Sequence, residues 1–331
     1  LMKALASNKN IVIHLHISAT LSPKHMQVLG NMLKSSDHVL MHGIELDING
    51  SHTFFSNLRY VEELNNLFDI LQKRKEDNIN DWEYFQFTIS SEPHIAYNSE
   101  STDVIKTLIE YPNCLITHLR LRNLVAFNNT RTSEASLRRL GIGLRNNKSI
   151  VKLNMSENLA VNDLVVQKLC PYLKRNETIL VIDFSYCDLG DESIDPLIDL
   201  VKSKPCYKRL LDSRRTGNEI DGNDFEKIFF EILIYQNNFE QNGFTKLQTF
   251  ERDVLEMFPI YRELTSDYAG NDRMIAFDID SPHRGNDANY TQHQGNMTVD
   301  RTTRQELQKR LQNDNFSKKI SDFFKKEVSE E

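Results

Sequence analysis

The chain of 331 residues lacks the short signatures that announce catalysis. It holds no glycine-rich phosphate loop, no Gly-x-Ser-x-Gly elbow and no His-Glu-x-x-His helix. On this ground it is expected to be no enzyme, and nothing in it calls for a cofactor or a small-molecule substrate. Cysteine is scarce: Cys114, Cys170, Cys187 and Cys206 are the only four, and no two of them form a Cys-x-x-Cys pair. That argues against a zinc knuckle or a thioredoxin-type site. So few thiols in so long a chain point to a reducing, cytoplasmic setting. Residues 1–10 hold no basic stretch followed by a long apolar core, and no later run is long and apolar enough to span a bilayer. Neither an export signal nor a membrane span is expected. Positive charge is not in excess either. Lys and Arg number 40 against 47 Asp and Glu, a formal net charge of -7, so nucleic acid is not an expected partner by bulk charge.

What is present is ordinary in amount, with 39% hydrophobic and 26% charged residues, and patterned in sequence. From Ile179, apolar residues recur at Ile182 and Phe184, followed by Cys187 and Leu189. From Ile150 the same offsets hold Leu153, Met155, Asn158 and Ala160, 29 residues earlier. Weaker copies start at Val12, Met41, Trp82 and Ile116, and a degenerate one at Tyr207, where Asp212 breaks the apolar set. Each apolar-x-apolar core reads as a short strand with alternating faces. The Asn or Cys that follows reads as a corner residue that bonds free backbone groups. Helical runs come next: Ile194, Leu197, Ile198 and Val201 after one strand, Leu164, Leu169 and Leu173 after another. The stretch 57–75, with Leu58, Val61, Leu64, Leu67 and Leu71, reads as a longer helix of the same kind.

This pattern resembles the leucine-rich repeat, in its ribonuclease-inhibitor-like subclass, over roughly residues 10–235. The resemblance implies an α/β solenoid, a horseshoe with parallel concave strands and convex helices. About seven irregular repeats would fill residues 1–236, and a helical cap and tail residues 237–331. The irregular repeats, the Asn-, Lys- and Ile-rich composition and the polar tail are similar in style to leucine-rich-repeat effectors that intracellular bacteria deliver into host cells. That resemblance implies a host protein as the target and the host cell as the destination.

The C-terminal part is read piece by piece. Residues 223–236 are expected to form the last convex helix and residues 246–264 a capping helix. Residues 273–280 alternate like a strand. Residues 281–300 read as a loop, and residues 301–331 as a helix with Phe316, Ile320, Phe323 and Phe324 on one stripe. Asp278, Asp280 and His283 are the candidates if the C-terminal segment is instead catalytic, although a solvated strand face explains the same residues.

Proteins of the resembled class bind through the concave face, so its residues follow from the strand offsets. The expected partner-binding set is His14, His16, Glu45, Asp47, Tyr84, Gln86, His118, Arg120, Arg122, Lys152, Asn154 and Asp183. Within it His118, Arg120, Arg122 and Lys152 form a basic centre suited to an acidic protein patch or a phosphate group. A charge row balanced by Asp183 is the competing explanation. His14 and His16 lie opposite Glu45 and Asp47; such a set can hold a metal but is more commonly a cross-strand charge pair, and no metal is assigned. The leading expectation is thus a protein–protein interaction module. The alternatives are a C-terminal catalytic segment, or binding of a phosphate or nucleic acid at the basic centre.

Overall fold

A computed structural model describes residues 11–18, 22–35, 39–50, 58–77, 84–91, 99–122, 130–216, 230–257 and 275–278. Eight strands form one parallel sheet in the order of the chain. They are β1 (Ile11–Ser18), β2 (Val39–Gly50), β3 (Tyr84–Ser91), β4 (His118–Arg122), β5 (Lys152–Asn154), β6 (Val181–Asp183), β7 (Phe230–Leu233) and β8 (Ile275–Asp278). Parallel neighbours cannot be joined by a tight hairpin, so a crossover segment must return the chain between them. The described crossovers are helical: α1 (Pro23–Ser35), α2 (Leu58–Glu76), α3 (Ser99–Ile109), α4 (Thr130–Asn146), α5 (Asp163–Leu173), α6 (Ile194–Ser203) and α8 (Gln241–Met257). Each of these packs against the next: α1 on α2, α2 on α3, and so on to α6 on α8.

The core lies between this helical layer and the sheet. One ladder row runs Leu46–Phe87–Leu119–Leu153–Ile182–Ile232, in direct register from β2 to β7, and every member is fully buried. Opposite them the helices bury matching stripes, for example Val61, Leu64, Leu67, Phe68 and Leu71 of α2, and Ile194, Leu197, Ile198 and Val201 of α6. The stripe of α5 is Val165, Val166, Leu169, Cys170 and Leu173, while Leu164 is exposed. A β-branched or leucine side chain buried in this way contributes roughly 1.5–3 kcal/mol.

The strands and helices so described constitute one compact unit, Leu1–Lys204 with Phe230–Asp280. A second unit comprises Pro205–Phe229 and Ser281–Glu331, and its described part is the helix α7 (Pro205–Thr216).

The expected leucine-rich-repeat horseshoe is corrected by this architecture. What the strands form is one continuous parallel sheet with flanking helices, and no short unit repeats along it. Register partners lie 29 residues apart between Lys152 and Val181 but 50 apart between Val181 and Glu231. Strands vary from 3 to 12 residues and helices from 10 to 19. A repeat class needs near-equal units so that each stacks identically on the last; the equality seen at Ile150 and Ile179 does not extend along the chain. The effector resemblance stood on that repeat class and is withdrawn with it.

Two local expectations are also corrected. The degenerate repeat at Tyr207 is helix α7, because Pro205 suits a first helical position and Lys208, Arg209, Leu210 and Leu211 are all good helix formers. The helix expected over 223–236 contains β7, where Phe, Ile and Leu favour a pleated, buried strand. The strand expected over 273–280 is present as β8, and the expected helix over 246–264 is present as α8, beginning at Gln241. Asp280, His283 and the C-terminal stretch 301–331 lie outside the described residues.

Candidate functional site

Alternation along each strand sends one set of side chains into the helical layer and the other to the opposite, polar face of the sheet. Two rows on that face are fixed by register. The first runs His16, Glu45, Gln86, His118, Lys152, Val181, Glu231 from β1 to β7. The second runs Asp47, Thr88, Arg120, Asn154, Asp183 from β2 to β6. The sheet therefore brings His118, Arg120, Lys152, Asn154 and Asp183 together.

Other expected neighbours are moved. Pairing slips by two residues between β3 and β4, so Gln86 rather than Tyr84 lies beside His118, and Thr88 lies beside Arg120. Tyr84 pairs with Gly43, which also pairs with His14. Arg122 lies in register with Ser90. Asp47 pairs with Ser18, whereas His16 Nδ1 reaches Glu45 Oε2 at 3.4 Å. The His16–Glu45 contact is a cross-strand pair of a half-exposed ring with a buried carboxylate. Among the described residues no three His, Cys, Asp or Glu side chains converge on a metal position.

The basic centre is more buried than a docking surface would be. Arg120, Lys152, Asn154 and Asp183 are each no more than 9% exposed. Asp183 is the counter-charge. Its Oδ2 accepts from Asn154 Nδ2 at 2.9 Å, and its Oδ1 accepts from the Ser185 backbone N–H at 3.0 Å. Burial pushes its carboxyl above the usual range, while Lys152, Ser185 and Arg120 pull it partly back. Asn154 repeats the arrangement one strand earlier, its Oδ1 accepting from Ser156 N–H at 3.0 Å and Ser156 Oγ–H at 2.8 Å. Both are local turns by which a short polar side chain ends a strand. Arg120 Nη2 lies 3.4 Å from Glu157 Oε1, a weak contact with a largely exposed carboxylate. His118 sits with Nδ1 3.0 Å from Thr117 Oγ1. Lys152 makes no hydrogen bond or ion pair among the described residues, although its charge is felt by Asp183.

Just past the strands the chain turns through three left-handed residues, Glu157, Tyr186 and Gln236. Each is followed by a corner residue that fills the carbonyl acceptors the turn exposes. Asn158 Nδ2 donates to Leu121 O and Met155 O, both at 2.7 Å. Asn237 Nδ2 donates to Phe184 O and Ile234 O, both at 3.0 Å. Between them Cys187 Sγ reaches Met155 O at 3.3 Å. Burial raises the Cys187 thiol to about 12, so it stays protonated and inert. The corner role expected of such residues is thus a hydrogen-bonding one, in which each corner ties its own turn to the preceding strand. At the other end of the sheet, Asn147, Asn176 and Lys204 bond the carbonyls that close α3, α4 and α5. Asn147 reaches Ile109 O at 2.7 Å, Asn176 reaches Leu144 O at 2.6 Å, and Lys204 reaches Leu173 O at 2.9 Å.

No protein-family model and no curated protein matches the chain. The site is therefore read from its own geometry.

The expectation of a protein-docking module acting through a concave repeat face is corrected here. The side chains it gathered lie on one face of a continuous sheet, and Glu45, Arg120, Lys152, Asn154 and Asp183 are turned in rather than presented. A docking face works by burying what was exposed, and these groups have little exposure left to bury.

One member of this face escaped sequence reasoning. Glu231, on β7, continues the row of Lys152 and Val181 and is itself buried. A signal for it exists: Ile232, Ile234 and Asn237 stand at the same spacing as Leu153, Met155 and Asn158. The helix-like density of apolar residues over 223–236 masked it. Among the described residues, no helix is long and apolar enough to cross a membrane.

Proposed function

We propose that this chain is a non-catalytic binder of a phosphate-bearing ligand, held at Lys152 and Arg120 with His118 beside them on the polar face. The observation that carries this reading is Lys152. Its side chain is almost wholly buried, yet its ammonium spends none of its three N–H donors on the described residues. A buried ammonium with unspent donors costs several kcal/mol relative to one that is paired and hydrogen-bonded. A phosphate oxygen would take those donors and face the Arg120 guanidinium, which is built to grip phosphate. The non-catalytic part of the reading rests on the sequence, which holds no catalytic signature. A reducing setting is in keeping with four buried, unbridged thiols, and we place the protein in the cytoplasm on that ground.

The test is a titration with inorganic phosphate at constant ionic strength, followed by the 15N shift of the Lys152 ammonium and by the melting temperature. Saturable shifts at millimolar phosphate, absent with chloride and lost in Lys152→Met, are expected. A ligand at 100 times its Kd would stabilise the fold by about 2.7 kcal/mol. Absence of any saturable change would overturn the reading. Tighter binding of an oligonucleotide, with a steep loss on adding salt, would make nucleic acid the phosphate source instead.

A further inference from the structure

The polar face changes sign along a single row. Lys152 on β5 is cationic, Val181 on β6 is apolar and fully buried, and Glu231 on β7 is anionic and buried. The parallel row places Arg120 on β4, Asn154 on β5 and Asp183 on β6 in the same sense, positive towards β4 and negative towards β6. Neighbouring strands stand about 4.8 Å apart, so Lys152 and Glu231 are separated by roughly 10 Å across Val181. A ligand carrying anionic groups alone would satisfy one end of this row and meet a buried carboxylate at the other. Such an arrangement costs several kcal/mol when like charges are brought together out of water.

We infer that the ligand is dipolar: a phosphomonoester that carries an amine at the far end of a short apolar spacer, with its phosphate at Lys152 and Arg120, its spacer over Val181 and its ammonium facing Glu231. The inference rests on the phosphate reading above and adds a second, independent recognition element to it. Glu231 is the specificity residue of this arrangement, because it contributes nothing to holding a simple phosphate. Val181 contributes the apolar stretch that a flexible alkyl chain covers, and a polar spacer would lose that contact.

The experiment compares inorganic phosphate, hexyl phosphate and 6-aminohexyl phosphate by calorimetry on the full chain, in wild type, Lys152→Met and Glu231→Gln. Wild type should bind 6-aminohexyl phosphate about tenfold more tightly than hexyl phosphate. Glu231→Gln, which keeps the size of the side chain, should erase that preference and leave hexyl phosphate binding unchanged. Lys152→Met should lose all three ligands. Binding of phosphate and both esters with no preference for the amine, or a preference that survives Glu231→Gln, would overturn the dipolar ligand and leave the phosphate site standing. Failure of all three to bind wild type would remove the phosphate reading and this inference together. Circular dichroism on each variant separates loss of binding from loss of fold.

Discussion

Asp183 shows how one residue couples charge to the architecture around it. Its carboxylate ends β6 by accepting the Ser185 N–H, ties β6 to β5 through Asn154, and faces Lys152 and Arg120. Burial is the dominant influence and raises its pKa above the model value of 3.8. For an acid whose folded pKa lies above its unfolded one, the folded state holds the proton more tightly. Stability from this group is therefore full below the unfolded pKa and is lost as pH rises through the folded pKa. Asp183→Asn keeps an oxygen for the Ser185 N–H but cannot titrate. Urea denaturation from pH 3.5 upward should show wild-type stability losing ground to the Asn variant across that window. Parallel curves for the two proteins would mean that Asp183 titrates normally. The His16–Glu45 pair has the look of a pH-responsive contact in the sequence, but its half-exposed ring makes it a minor contributor.

At the scale of the element, close approach of helices decides what the sequence must supply. Gly141 lies in α4, and a Cβ placed there would overlap the ring of Tyr172 in α5. Gly143, one turn along the same contact layer, comes close to Ile109 of α3 in the same way. These glycines lower helix propensity by about 1 kcal/mol each, and the helix keeps them because the neighbours need the space. Gly141→Ala should therefore destabilise by about 1–3 kcal/mol in thermal or urea unfolding, the cost of overpacking, instead of gaining from better propensity. A second substitution, Tyr172→Ala, should relieve the clash, so the double variant should lose less than the two single losses combined. The closing carbonyls of α3, α4 and α5 follow a related logic. Asn147 and Asn176 serve two of them, and Lys204 serves the third with its Nζ 4.8 Å from the centre of the Phe230 ring. A lysine so deeply buried is tolerated because its donors reach two carbonyls, Leu173 O and Asn176 O.

For the main unit as a whole, the order of strands matters most. Every strand pairs only with its predecessor and successor in the chain, so contacts are local along the sequence and the sheet has two ends, β1 and β8. Strands at the ends hold one ladder within the sheet, whereas those in the middle hold two. Amide exchange should accordingly be slowest at Leu153 and Ile182, which sit mid-sheet and fully buried, and at least tenfold faster along β1 and β8. Uniform protection across all eight strands would show instead that the unit opens only as a whole.

Much of the fold was legible in the sequence and some of it was not, for separable physical reasons. Alternation and corner residues located β1 to β6 because a half-buried strand must alternate and an exposed turn must find donors for its carbonyls. The segment around Asn154 and Asp183 was legible for this reason, as were the buried stripes of α2 and α6. The α7 and β7 segments were misread because a short apolar run fits a helix or a strand equally well until its neighbours are known. Class was misjudged from two adjacent segments of equal length, since local similarity says nothing about whether the interval is kept along the chain. The site depended most on tertiary structure. The sequence by itself determined which side chains face away from the helices. Only the sheet decided which of them meet, because a two-residue slip between β3 and β4 replaces Tyr84 with Gln86 beside His118, and because β7 brings Glu231 onto the row of Lys152. Register is a property of paired strands, and no single strand carries it.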